Sequence, residues 1–235
     1  MAAELLLQAC TAGKIMTDDR GNNFMKDKRD GHLYRVANMN GQWWMIDNFN
    51  LDIPEAKWYL NDAGKYQHMG RVYHWQQAQN TAPKGWRLPT YKELAALFLK
   101  YGPVAYSGEL TTFKNLFGNY NPDSSLLTCQ KLQQDTLLNL PFINDTLNWN
   151  REIVDGDEFR TLLWSADTAD YGAYAVYWKK GNGVFFSEYP KKFYGFVRYV
   201  KAASPNVRSH KIKHKERNVL KKEREKATFN RHLFE

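Results

Sequence analysis

The sequence predicts an α+β domain, and three observations carry that prediction. Short runs of alternating aromatic and aliphatic residues, separated by Asn-Gly, Asp-Gly and Gly-Asn-Gly turns, stand near both ends of the chain. One helix start, Thr90 with Glu93, carries both halves of a capping box. Between the two sets of strands lies "GRVYHWQQAQNTAPKGWRLPTYKEL", residues 70–94, dense in aromatic residues and in backbone-fixing Pro and Gly.

Taken in order, "RDGH" (29–32) and "MNGQ" (39–42) flank the strand "LYRVAN", and "QWWMIDNF" follows as a second aromatic-rich strand. Residues 55–70, broken by Gly64 and Gly70, read as a loop. "RVYHWQQAQNTA" starts as a strand and turns helical over Trp75 to Asn80, after which Pro83 and Gly85 force a turn. The capped helix then places Leu94, Leu97 and Phe98 on one face, and Gly102 stops it. One further helix is expected around Ser125 to Leu138. From Thr161 the pattern returns to strands: "TLLWSAD", "GAYAVYWKK", the hairpin signal "GNG", "VFFSEYP", and a last strand "YGFVRYV" that closes the domain near Ala203. The expected organisation is an N-terminal extension over 1–24, a domain over 25–203 and a basic helical tail over 204–235.

The net charge of +8 is concentrated in that tail. Residues 204–235 hold six Lys and four Arg against four Glu, a balance of +6, which leaves +2 for the first 203 residues. A nucleic-acid reading therefore applies to the tail and not to the domain surface. Hydrophobic residues make up 43% of the 235, enough for a packed core, and eight tryptophans call for an aromatic core, an aromatic binding face or both. Cys10 and Cys129 have no metal-ligand spacing, and a reducing origin is the simpler reading of so few cysteines. At the N-terminus only Leu5 to Leu7 form an apolar run, short of a signal peptide's roughly 7–15 residues. No run approaches the ~20 apolar residues of a membrane span, so no membrane association is expected.

Five segments in register, "DGHLYRVANMNGQWWMIDNFN", "GRVYHWQQA", "APKGWRLPTYKEL", "LWSAD" and "YGFVRYV", resemble the Fibrobacter succinogenes major paralogous domain, a bacterial and phage-associated family. The resemblance runs from about Asp27 to Lys201 and is weakest over 103–160. It implies a C-type-lectin-like fold, in which two helices pack on a twisted antiparallel sheet. On that reading Trp43, Trp75, Trp86 and Trp164 are core residues, and Leu88-Pro89-Thr90 deliver the chain into the second helix.

The sequence departs from calcium-dependent lectins. The nearest echoes of their ligand loops are "NPD" (121–123), which reads as a turn, and "NWN" (148–150). Neither tripeptide supplies the six to eight converging oxygens that calcium takes, and no metal or cofactor is expected. Enzymes of related fold that oxidise a substrate cysteine use a cysteine pair, whereas Cys129 stands alone in this domain. His210 and His214 have helical spacing without a third ligand, and "DGDE" (155–158) suits a turn.

These readings converge on a non-enzymatic binding or structural module. The resemblance implies a phage virion protein of the fibre, tail or capsid-decorating kind; an exported bacterial adhesin is the alternative. A ligand-binding face is expected from Asp167, Asp170, Tyr171, Tyr174, Tyr177, Lys179, Asn182, Phe186, Ser187 and Tyr189, where aromatic rings give stiff contact area and small polar groups adaptable hydrogen bonds. Most of these fit codons diversified by retroelements in related proteins. Alternation in a strand would send half of the aromatic residues into the core instead. In the tail, Lys211, Lys213, Lys215, Arg217, Lys221, Lys222 and Arg224 form a docking arm for other virion or surface proteins, including a second copy, or a contact for nucleic acid. A host-surface glycan or protein is the expected target of the face.

Overall fold

The computed structural model describes residues 14–106, 122–135, 138, 140, 152–154, 157–179, 183–203 and 210–211. It is a mixed α+β protein with mostly antiparallel pairing. The chain divides into two compact units, one from the described parts of Met1–Asp47, Pro83–Trp86 and Val200–Glu235, the other from Asn48–Ala82 and Arg87–Tyr199.

The first unit is built on a six-stranded sheet in the order β13-β4-β3-β2-β1-β14. Its strands are β1 (Ile15–Thr17), β2 (Asn23–Lys26), β3 (Leu33–Met39), β4 (Gln42–Met45), β13 (Val200–Ala202) and β14 (His210–Lys211). Turn chemistry sets the register. The Asp18 carboxylate accepts from the amides of Arg20 and Asn22 at 2.9 and 2.8 Å, closing β1 onto β2. Asn40 and Gly41 both have positive φ, 53° and 73°, the mirror-image turn that matches strand twist, and Met39 lies opposite Gln42. Ile15, Phe24, Met25, Leu33, Tyr34, Val36, Trp44 and Met45 are buried.

Several sequence expectations differ from the structure here. The second aromatic strand ends at Met45, because Asp47 turns back to accept from the Arg35 amide at 2.7 Å and from its guanidinium Nε at 2.8 Å. Trp43 is half-buried and not core. The last strand of the domain, expected as one run, is two: Tyr194–Phe196 and Val200–Ala202 join different sheets. Strand β1 and the start of β2 lie inside the segment read as an N-terminal extension. Of the tail, only His210 and Lys211 are described, and they pair with β1 as a parallel strand where a helix was expected. The turn "PKGW" forms as read, with the Trp86 amide donating to Pro83 O at 2.8 Å and Gly85 at φ 79°. Trp86 is buried.

The second unit carries the helices and a mixed sheet, β12-β9-β10-β11-β7, with β8 paired to β9. Residues 55–70 are more ordered than a loop. They hold β5 (Lys57–Trp58), two 3-10 turns and the one-turn helix α1 (Ala63–Tyr66), and β6 (Arg71–Val72) pairs with β5. Helix α2 spans Trp75–Asn80, the range read from sequence. Helix α3 (Tyr91–Phe98) starts on the expected capping box: the Glu93 amide donates to Thr90 Oγ1 at 3.2 Å, and the Thr90 amide donates to Glu93 Oε2 at 2.7 Å. Helix α4 spans Pro122–Gln134, so Pro122 and Asp123 belong to a helix and not to a turn. Proline suits a first helical turn because its missing N–H is one that would go unpaired there.

The sheet strands are β7 (Ala105–Tyr106), β8 (Glu152–Val154), β9 (Asp157–Thr168), β10 (Ala173–Lys179), β11 (Gly183–Tyr189) and β12 (Tyr194–Phe196). Strands β9, β10 and β11 are antiparallel, whereas β12 on β9 and β7 on β11 are parallel. Leu94, Ala95, Leu97 and Phe98 of α3 are buried, and the Phe98 ring meets Trp178 and Phe186 at 6.4 and 6.0 Å between centroids.

Candidate functional site

Strand register decides which of the expected face residues can act together. In β10 and β11, Tyr174 lies opposite Glu188, Val176 opposite Phe186 and Trp178 opposite Val184, so these share one sheet face. Ala173 with Tyr189, Ala175 with Ser187 and Tyr177 with Phe185 share the other. The ten residues read from sequence are therefore not one surface. Phe186 is corrected outright: it is fully buried, packed edge-on against Phe98, and belongs to the core. Tyr177, Ser187 and Tyr189 are half-buried on the second face, where the Tyr177 and Phe185 rings sit 6.3 Å apart. Lys179 ends β10 opposite Gly183, its side chain lies outside the described residues, and so does Asn182. The tail residues Lys213, Lys215, Arg217, Lys221, Lys222 and Arg224 lie outside them too.

The remaining four gather at one end of the β9–β10 hairpin. The turn is closed by the Ala169 amide donating to Gly172 O at 3.1 Å. Gly172 is required there, since a Cβ would sit 2.1 Å from Tyr189 O. This pinch pushes Asp170 and Tyr171 outward, and Tyr171 is 91% exposed, far above any other large apolar or aromatic side chain among the described residues. Its amide donates to Glu188 Oε1 at 2.5 Å, which pins the turn to β11. Tyr174 stands one pair further in, its ring 5.4 Å from that of Tyr91 at the start of α3.

Asp167 is a structural member of this group. Its Oδ2 accepts from the Tyr91 amide at 2.6 Å, where an anion satisfies an otherwise unpaired helical donor. Arg87 grips Glu93 with two bonds of 2.7 and 2.6 Å, and that pairing holds its guanidinium above the usual arginine range. The strand leading to Asp167 is fixed by three backbone-directed bonds. Trp75 Nε1 donates to Ser165 O at 2.8 Å, the Ala166 amide donates to Pro89 O at 2.8 Å, and Gln79 Nε2 donates to Ala166 O at 3.0 Å.

Electrostatically the end of the hairpin is acidic. Burial, followed by the charges of Glu188, Asp170 and Asp167 and by the Tyr91 hydroxyl, pushes the Tyr174 phenol above its ordinary pKa. Tyr91 and Glu188 were not among the residues read as a face. The pairing of 174 with 188 across the Gly-Asn-Gly hairpin could have shown Glu188, whereas Tyr91 arrives only through tertiary packing. Among the described residues no group of three His, Cys, Asp or Glu could hold a metal ion. The Cys129 thiol is buried and pushed up to about 11, so it stays protonated at neutral pH.

No family model, curated protein or solved structure matches the chain.

Proposed function

We propose that the protein is a non-enzymatic binding module of C-type-lectin-like type, whose contact surface is the end of the β9–β10 hairpin. The single observation that carries this reading is Tyr171, 91% exposed on a turn held rigid by Gly172 and Glu188. A large ring held in water on a fixed backbone costs little entropy to bury against a partner, which is the physics of binding hot spots. Asp170 and the half-buried Tyr174 flank it.

The resemblance to the Fibrobacter succinogenes major paralogous domain supplies the setting: a phage virion component that makes a protein contact through this surface. The mixed α+β class agrees with that reading in coarse outline only, with α2 and α3 both engaging strand β9 of the sheet. Mass spectrometry of purified particles should find the protein, and Tyr171→Ala should reduce the copies per particle at least ~10-fold, the loss of one hot spot. The variant's melting temperature should be unchanged. Particles without the protein would remove the virion setting. Unchanged copy number in the variant would remove the surface.

A further inference from the structure

We infer that the partner of the hairpin-end surface is the basic tail of a second copy of this chain. The inference rests on the reading of that surface above and names its occupant. Three features of the surface select a cationic segment. Exposed Asp170 precedes Tyr171 on the turn, and the Glu188 carboxylate accepts from the Tyr171 amide, so two acids belong to the turn that carries the exposed ring. Tyr91 and Tyr174 form a ring pair whose faces attract cations, and the pair already draws one from its own chain, the Lys92 ammonium 6.0 Å from the Tyr91 centroid. The acids act on the same spot, because Glu188, Asp170 and Asp167 all bear on the Tyr174 hydroxyl. The Arg87 guanidinium is gripped by Glu93 and its charge also bears on Asp167, which leaves Asp170 and Glu188 as the acids of the surface.

The occupant follows from charge complementarity. Residues 208–226 carry six Lys and three Arg against three Glu, a balance of +6 in nineteen residues, while the first 203 residues together hold +2. No other stretch of the chain concentrates cations in this way. Lys and Arg stems also cover aromatic surface while their heads reach carboxylates. Tail and hairpin end are different surfaces, so the contact is heterologous: each copy offers one of each, and association continues from copy to copy. Such a contact is steered by charge and weakens with salt.

The test uses the full-length chain in sedimentation velocity. Wild type should show mass rising with concentration at low salt, and this should weaken at least ~10-fold in high salt as charges are screened. Asp170→Lys, at an exposed position, should leave a folded monomer. A tail variant with Lys213, Lys215, Lys221, Lys222 and Arg224 changed to Gln should do the same. Mixing the two should yield a one-to-one dimer and nothing larger, because only one working surface of each kind remains. That complementation is the expected result. A mixture that stays monomeric, wild-type behaviour in both single variants, or a wild type that is monomeric at every concentration would overturn the inference. The reading of the surface itself is separate: if self-association is absent and Tyr171→Ala still lowers copy number in particles, the surface stands with another partner.

Discussion

The two units are held together in different ways. In the first, strands β13 and β14 are paired from far along the chain, but the side-chain bonds that set the turns and strand ends are close in sequence: the Asp18 turn spans four residues, Asp27 pairs with Arg29, and Asp47 reaches only to Arg35. In the second, side chains reach across most of the unit. Trp164 Nε1 donates to Tyr73 O at 3.0 Å over 91 positions, and Tyr199 OH to Ala78 O at 2.7 Å over 121. Arg198 Nε donates to Asn48 Oδ1 at 2.7 Å over 150, and Asn48 Nδ2 in turn donates to Met69 O at 2.8 Å. Local bonds form cheaply because little chain entropy is lost in closing them, whereas distant ones form only as the whole unit orders. The proposed contact surface lies on the second kind of scaffold, where one strand, β9, is gripped by the starts of α2 and α3.

The sharpest way to break this contrast is Trp164→Ala. The indole is fully buried and bonded, so its loss should cost roughly 3–5 kcal/mol in urea unfolding, with amide exchange rising throughout β9, β10 and β11. A cost below about 1 kcal/mol would mean that the long-range bonds do not hold the second unit.

Gly41→Ala probes the local kind. Its φ of 73° suits glycine, and a Cβ there meets nothing within 4 Å, so the effect is purely conformational. About 1–2 kcal/mol should be lost, with exchange rising in β3 and β4 alone. Spread of that change across the β9 region would contradict local control.

The smallest expected effect concerns Asp27. Burial raises its pKa, but hydrogen bonds and charge from Arg29 more than offset this and hold the carboxyl below its ordinary value. A depressed carboxylate stabilises the fold above the unfolded-state pKa of about 3.9 and loses that contribution as pH falls through the lower folded value. Arg29 is 40% exposed, so solvent screening keeps the contribution within about 1 kcal/mol. Asp27→Asn should therefore flatten part of the melting-temperature decline below pH ~4. An identical acid limb in the variant would remove Asp27 as its source.

Elements defined by short-range chemistry were legible beforehand. The Asn40-Gly41 turn, the Thr90–Glu93 cap, the range of α2 and the antiparallel pairing of β10 with β11 on either side of the Gly-Asn-Gly signal each depend on residues a few positions apart, and each forms as read. The helix around 125–138 was found but displaced, because Pro122 is a helix starter as well as a turn residue. The grouping of residues at the proposed face was legible only in part. Asp170, Tyr171 and Tyr174 were named, yet so was Phe186, since a strand's two faces look alike until the sheet shows which one meets a helix.

By itself, then, the amino-acid order determined the α+β class, the hairpins, the capped helix and the concentration of charge in the tail, all of them consequences of local torsion preference and composition. Tertiary structure decided what periodicity cannot encode. It divided "YGFVRYV" between two sheets, spent Asp167 on the Tyr91 amide, and set Tyr91 from α3 beside Tyr174 from β10. It also left Tyr171 in water while burying Phe186, fifteen positions on. The physical reason is that burial and charge neighbourhood belong to the packed assembly of distant segments, and no stretch of sequence carries its partner's position with it.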